Sequence, residues 1–389
     1  MPIYQSSSFV FETSEELAMA FEGRHPGYIY SRISNPTVQA FEQRIAAIEG
    51  GVGSFATASG MAAIQTLFYA LTESGSRVLF ARSLFGGTLL FLRDIASRAG
   101  VEVEFVEVND AEAVAKSLRR RPRFFFFETL GNPRLDIPLI HEIVSLASEQ
   151  GVPTIIDATL SSPALFDAKE SGAASVLHSA TKYITGNGTV IGGVITDLGN
   201  FDWRGYPAAS ITDSISQVGK DLAFLASIRR QGGLNAGVVM SPFTAFLGLL
   251  GLETLPLRMD AHLRNANALA QYLDDRPEVL KVHYPGLPND PYHAASNRYF
   301  RGGAGALLTF EVESRDAAFE IADRLKLVTR ATNLGDAKSL IIHPASTIFH
   351  DNSVEEMDFS GVTEGLLRVS VGIENIEDLI TDFEQALRA

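Results

Sequence analysis

The sequence predicts an α/β protein, in which a mostly parallel sheet covered by helices on both faces precedes a smaller α/β domain. Three observations lead there. Between residues 54 and 196, short apolar β-rich runs alternate with helical patterns. One of those runs, Phe124–Phe127, carries no polar residue, as suits a strand buried on both faces. After Pro242 the texture changes to a long helical stretch and then a second set of short strands.

The strand candidates of the first part are Arg77–Ala81, Val101–Val108, Arg123–Glu128, Pro153–Asp157, Ser175–His178 and Val190–Thr196. Helical patterns fall at Gly60–Leu71, Thr88–Ala99, Ala111–Leu118 and Ile137–Gln150. In the second part a helical stretch runs from about Phe243 to Asp274, with an interruption expected at Pro256. Strand candidates follow at Val279–His283, Ala306–Glu311, Ser339–Ile342 and Leu367–Val371. The first 45 or so residues read as an irregular arm. The expected division is therefore an arm over 1–45, a cofactor-sized α/β domain over 46–241 and a C-terminal α/β domain over 242–389.

Composition narrows the function. Of 389 residues, 46% are hydrophobic and 20% charged, an ordinary globular mixture. The net charge of −14 repels phosphate backbones and anionic lipid, so nucleic-acid and membrane partners are not expected. The basic run Arg119-Arg120-Arg121-Pro122-Arg123 reads as a solvated turn. There is no cysteine, hence no disulfide, thiolate metal site or cysteine nucleophile. Met1–Val10 lacks the basic start and apolar run of a secretory signal, and no apolar stretch is long enough to span a bilayer. A cytoplasmic protein is expected. His141-Glu142 lacks the second histidine of a zinc helix, and no other cluster has metal spacing.

The chemistry concentrates in Ser175-Val176-Leu177-His178-Ser179-Ala180-Thr181-Lys182-Tyr183. A buried strand ends, two hydroxyl residues follow, and then a lysine whose amine can form an imine with an aldehyde cofactor. Ser179 and Thr181 can donate to a phosphate. Alone, such a lysine is more often a surface residue after a strand. Asp157 changes the balance: it ends the apolar strand Pro153–Asp157, and ligands of parallel sheets bind at the carboxyl ends of strands. An aspartate there can keep a pyridine nitrogen protonated, although a helix N-cap is the bland alternative. Ala58-Ser59-Gly60-Met61-Ala62 adds a small-residue turn opening a helix, whose free N–H groups can hold a phosphate. Gly51-Val52-Gly53-Ser54-Phe55-Ala56 matches a dinucleotide fingerprint, but it follows a helical pattern and opens no helix.

With these motifs in order, the chain resembles the Cys/Met-metabolism family of fold-type I pyridoxal-phosphate enzymes, and within it the O-acetylhomoserine and O-succinylhomoserine sulfhydrylases. The likeness runs from Pro2-Ile3-Tyr4-Gln5 to Ser370-Val371-Gly372-Ile373-Glu374. It implies an aspartate-aminotransferase-like fold and pyridoxal 5′-phosphate held as a Schiff base on Lys182, which also moves protons. It implies that Asp157 pairs with the pyridinium nitrogen and that Gly60, Met61, Ser179 and Thr181 hold the phosphate. Tyr30 and Arg32, in Tyr30-Ser31-Arg32-Ile33-Ser34-Asn35-Pro36, match a segment that reaches the neighbouring subunit's phosphate. A dimer is then the smallest active unit and a tetramer the expected assembly. Tyr30 is also a candidate proton donor. Asn132, in Glu128-Thr129-Leu130-Gly131-Asn132-Pro133, matches a residue near the cofactor's phenolic oxygen. Arg368 matches the arginine that grips the substrate α-carboxylate, with Asn333 and Asn132 beside it. His343 is expected to be structural.

The chain departs from the resemblance in places. Phe85, in Phe85-Gly86-Gly87-Thr88, stands where relatives often carry a tyrosine; it can stack on the cofactor ring but has no hydroxyl to move a proton. That favours a leaving group that needs no acid, such as acetate or succinate. Gly186–Gly193 and Asn333–Leu340 look like the sulfhydrylase versions of their loops, although Asn187 replaces a histidine common there. Relatives usually carry a further arm before Pro2-Ile3-Tyr4-Gln5, so either a shorter arm or a trimmed chain is expected. The implied reaction is γ-replacement on an O-acylhomoserine by a sulfur nucleophile, delivered as sulfide or on a carrier protein, giving homocysteine. Cystathionine γ-synthase or γ-lyase chemistry is the alternative within enzymes. A cofactor-binding regulatory protein without catalysis is the alternative of another class.

Overall fold

The computed structural model describes residues 1–388. Seven strands form the first sheet: β1 (Gly53–Thr57), β2 (Arg77–Ala81), β3 (Glu102–Val106), β4 (Phe125–Glu128), β5 (Thr154–Asp157), β6 (Ser175–His178) and β7 (Gly193–Asp197). Their order is β1-β7-β6-β5-β4-β2-β3. The pairs from β3 through β6 are parallel, and β7 alone runs against its neighbours β6 and β1. The second sheet holds β8 (Lys281–His283), β9 (Leu307–Glu311), β10 (Thr329–Arg330), β11 (Leu340–Ile342) and β12 (Leu366–Ser370) in the order β10-β11-β12-β9-β8.

β4 explains why the first sheet is covered on both faces. Phe124, Phe125, Phe126 and Phe127 are all buried, so consecutive side chains bury themselves above and below the sheet. Phe126 packs its ring 5.3 Å from Phe80 of β2, and Phe125 lies 5.4 Å from Phe127 on the other face. The open edge strand β3 carries Glu102 and Glu104, which Arg77 and Arg120 pair at 2.7 Å each. Charges on an edge blunt pairing with another chain, and the basic turn supplies one of those arginines.

Several elements differ from the sequence expectation. The stretch expected as an irregular arm contains the helices Ser14–Phe21 and Pro36–Ile48. Asn35 caps the second: its Oδ1 accepts from the N–H groups of Thr37 and Val38, and Pro36 occupies the first turn. Val38, Phe41 and Ile45 fall on one face and are buried. Gly53–Thr57, not among the strand candidates, is the strand β1, and no helix opens on Gly51 or Gly53, as expected. Residues 209–236, unassigned from sequence, fold as Ala209–Val218, Ala223–Ile228 and a wide i→i+5 turn at Arg229–Ala236. The helix expected over Thr88–Ala99 is Gly86–Phe91 followed by a second wide turn at Leu92–Ala96.

Pro256 does not interrupt the long helix, which spans Pro242–Asp274. The guanidinium of Arg258 supplies donors inside the affected turn, from Nη2 to the Gly251 carbonyl at 2.8 Å and from Nε to Thr254 Oγ1 at 3.1 Å. Arg258 Nη2 also donates to the Ile184 carbonyl, two residues after Lys182. Gly251 makes that approach possible. A Cβ there would sit 2.3 Å from Ile184 O and 2.7 Å from Thr185 O. Among the described residues no helix is long and apolar enough to cross a membrane. No group of three or more His, Cys, Asp or Glu among them could hold a metal ion.

Candidate active site

Three adjacent parallel strands each end in a titratable residue: β4 in Glu128, β5 in Asp157 and β6 in His178. Their carboxyl ends and β12 of the second sheet enclose a cavity of about 410 Å³. Gly60, Met61, Phe85, Asn132, Asp157, Ser179, Thr181, Lys182 and Arg368 all line it. Residues scattered over more than 300 positions of sequence thus meet in one place. A larger cavity of about 910 Å³ lies beside Leu89, Leu90 and Phe105 and contains none of these residues.

At one end of the cavity the helix Gly60–Leu71 begins. Ser59 caps it by accepting from the Ala62 N–H, which leaves the first amides of Gly60 and Met61 without an intrahelical partner. Gly60 is required there, since a Cβ would lie 2.9 Å from Ser179 Cβ. Ser179 donates its backbone N–H to Thr159 Oγ1 at 2.8 Å. Thr181 Oγ1 accepts from Gly192 N at 3.0 Å and lies 3.2 Å from Gly192 O, so its hydroxyl anchors the lysine turn as well as facing the cavity.

In the middle stand Lys182 and Asp157. Lys182 Nζ donates to Asn333 Oδ1 at 2.6 Å. Burial, then the nearby Arg368 charge, lowers the amine from the usual lysine range to about 8. Asp157 Oδ1 accepts from Thr159 N at 2.9 Å. Burial pushes its carboxyl up, against the Thr159 donors and the neighbouring His178. At the far end Arg368 is buried within β12. Its Nη1 donates to Asn132 Oδ1 at 3.1 Å and its Nη2 to the Asn333 carbonyl at 3.3 Å. Asn333 therefore joins Lys182 to Arg368 rather than lining the cavity. Arg368 Nε is buried with no partner, and burial lowers the guanidinium to about 10. A buried cation with an open donor calls for an anion.

Tyr30 and Arg32 lie outside this cavity. Tyr30 is exposed, and the Arg32 guanidinium sits 5.6 Å from the centre of its ring and donates to the Leu234 carbonyl at 2.9 Å. Both belong to the arm of the same chain and do not reach the lysine of that chain.

The donor set has the chemistry of a phosphorylated pyridine aldehyde. Free helix amides and hydroxyls suit its phosphate, a lysine near neutrality its aldehyde, and a buried carboxylate its ring nitrogen. The comparison with known proteins agrees. The Cys/Met metabolism PLP-dependent enzyme family matches residues 1–388.

The chain belongs to that family.

Among the family's curated members, an O-acetyl-L-homoserine sulfhydrylase of Leptospira meyeri is 39% identical over 100% of this chain and 92% of its own length. An O-succinylhomoserine sulfhydrylase of Pseudomonas aeruginosa is 38% identical over 100% and 90%. The crystal structure of a Campylobacter jejuni chain described as an O-acetylhomoserine (thiol)-lyase carries a pyridoxyl-lysine monophosphate. It superposes with a TM-score of 0.94 at 34% identity, covering 100% of this chain and 95% of that one. Cystathionine γ-synthase from Xanthomonas oryzae superposes with a TM-score of 0.88 at 32% identity, over 99% and 92%.

Two features of this family member escaped the sequence reading. Glu128 lines the cavity beside Asp157, although it ends its strand just as Asp157 does, and that signal was present in Phe125–Glu128. Behind the sheet, His178 Nε2 meets Glu49 Oε1 at 2.5 Å, with both side chains buried. That contact ties the end of helix Pro36–Ile48 to the strand leading into Lys182. No local pattern announces a pair 129 residues apart.

The lowered lysine gives a direct test. In the cofactor-free protein the neutral amine population rises as pH passes about 8. Capture of an aldehyde by Lys182, trapped with borohydride, should rise with pH and level off within about one unit above that point. A rate that keeps climbing past pH 10 would mean that Lys182 is an ordinary solvated amine.

Proposed function

We propose that this protein catalyses γ-replacement on an O-acylhomoserine in the cytoplasm, as a step of methionine biosynthesis. A sulfur nucleophile forms the Cγ–S bond, the Cγ–O bond breaks, and the acyl group leaves as its carboxylate. The observation that carries this reading is the single cavity joining Lys182, Asp157 and Arg368 in a chain alike over its length to sulfhydrylases. Pyridoxal phosphate, when bound, supplies an electron sink for charge that develops at the substrate Cα.

The residues divide the remaining work. Arg368, held by Asn132 and Asn333, grips the substrate α-carboxylate through its fork of donors. Lys182 would hold the cofactor aldehyde, and its amine would take and return protons at the substrate Cα and Cβ. Its lowered affinity for protons suits a base working near neutral pH. Asp157 holds the cofactor's ring nitrogen in its protonated form, and Gly60, Met61, Ser179 and Thr181 hold the phosphate. Phe85 stacks on the ring and offers no proton, which suits the weakly basic acetate or succinate better than a thiolate. Tyr30 and Arg32, exposed on the arm, complete the phosphate site of a neighbouring copy, and Tyr30 is available there to donate a proton. The active protein is then at least a dimer, and a tetramer by the same reading.

The test mixes the holoenzyme with O-acetylhomoserine or O-succinylhomoserine, each with and without sulfide, and measures homocysteine. Sulfide-dependent homocysteine is expected and names the acyl group. Homocysteine absent with both esters, together with cystathionine formed from added cysteine, would replace this reading with that of a γ-synthase. If sulfide alone is inert but a thiocarboxylated carrier protein supports turnover, the donor is the carrier.

A further inference from the structure

Two carboxyl side chains stand side by side in the cavity. Glu128 and Asp157 pair in register on the parallel strands β4 and β5, so their side chains share a face about 5 Å apart. Both line the cavity, and Glu128 is buried. We propose that Glu128 is a positioning residue that stays neutral, fixing Phe85 through its backbone and leaving Asp157 alone to carry the negative charge for the cofactor's ring nitrogen. The inference rests on the cofactor reading above and goes beyond it.

The donors around the two groups are unequal. Glu128 receives a single N–H, from Phe85 to Oε1 at 2.7 Å. Its other neighbours are like charges, Asp157 on β5 and Asp136 on the loop that follows β4. Asp157 receives the backbone and hydroxyl donors of Thr159, and His178 on the neighbouring strand β6 also acts on it. Of the cavity's cations, Arg368 acts on Lys182, and neither is among the groups that act on Glu128 or on Asp157. Two adjacent carboxyls in a low-dielectric site do not both ionise, and the one with fewer donors keeps the proton. Burial accordingly pushes Glu128 well above the ordinary carboxylate range.

The bond to Phe85 gives the neutral acid its task. Phe85 sits at the start of the helix Gly86–Phe91, where no side chain caps the turn. The ring lies over Gly87, where a Cβ would come within 2.6 Å of a ring carbon. The Glu128 side-chain oxygen Oε1 therefore fixes the backbone from which the Phe85 ring projects.

Three proteins test this: wild type, Glu128→Gln and Glu128→Ala. Infrared difference spectra of wild type against E128Q at neutral pH, with and without cofactor, should show a protonated-carboxyl C=O band that E128Q lacks. E128A should weaken pyridoxal-phosphate binding about tenfold by freeing Phe85, and E128Q, which keeps a neutral acceptor oxygen, should restore it. A carboxylate band in place of the protonated one overturns the proposal. So does an E128Q holoenzyme whose visible absorption titrates at a pH displaced by about a unit or more, since that is the mark of a removed charge. Unchanged cofactor affinity in E128A overturns the Phe85 role. If E128A fails to fold, the infrared band and the E128Q titration still decide. Failure of the cofactor reading shows separately, as wild type that takes up no pyridoxal phosphate while its infrared band remains measurable.

Discussion

Lys182→Ala should abolish turnover, with kcat lower by at least about 10⁴-fold. A positioned proton carrier alone contributes about 10²–10⁴-fold, and this substitution also removes the amine that, on the proposed reading, holds the cofactor covalently. The visible absorption of the bound cofactor should disappear or shift, because no lysine remains beside Asp157 in the cavity. Folding should survive. The amine is desolvated and makes one hydrogen bond, to Asn333, so its removal relieves a buried charge while losing that bond. The measurements are single-turnover kinetics, the absorption spectrum and a thermal melt. A variant that keeps more than about a hundredth of the rate, with an intact melt, would remove Lys182 from the chemistry.

Arg368→Ala should be the second largest loss, and it should fall on substrate capture. The guanidinium is held by Asn132 and the Asn333 carbonyl, with Nε buried and unpartnered. A bidentate contact to a carboxylate in such a place is worth about 3 kcal/mol, or roughly two orders of magnitude in kcat/KM. The rise should appear mainly in KM, while cofactor binding, which depends on the opposite end of the cavity, stays intact. Arg368→Lys should recover only part, since a point charge cannot reproduce the planar fork. An R368A enzyme with unchanged KM, or one that loses its cofactor, would show that Arg368 does another job. The same substitution should raise the Lys182 titration above about 8, because the Arg368 charge is one of the two influences that lower it.

Much of this site was legible because its signals are local. A strand ending in a carboxylate, hydroxyls before a lysine and a small-residue turn opening a helix each sit within a few residues of sequence. Each also encodes the backbone that presents it. The parallel sheet was legible for the same reason, since Phe124–Phe127 names a strand buried on both faces. Helix Pro36–Ile48 was missed although Asn35, Pro36, Val38, Phe41 and Ile45 spell out its cap and its buried face. The helix through Pro256 was misjudged because a proline signals a break locally, whereas the helix continues here with Arg258, two residues on, donating to Gly251 and Thr254. Glu49 with His178, and Asn333 with Lys182, were beyond the sequence, because contacts 129 and 151 residues apart depend on how elements pack.

The contact at Gly251 reaches further than its chemistry. The long helix touches the main-chain oxygens just past Lys182 at a point where even a methyl group would collide with them. Main-chain atoms cannot swing aside as a long side chain can. An alanine there should therefore move the lysine turn itself and cost activity at a residue that never meets substrate. In a library of random variants, position 251 should stay glycine among active clones while neighbouring exposed positions such as Leu250 and Leu257 drift freely. The inheritance of the Lys182 turn is thus guarded from a part of the gene about 70 codons away.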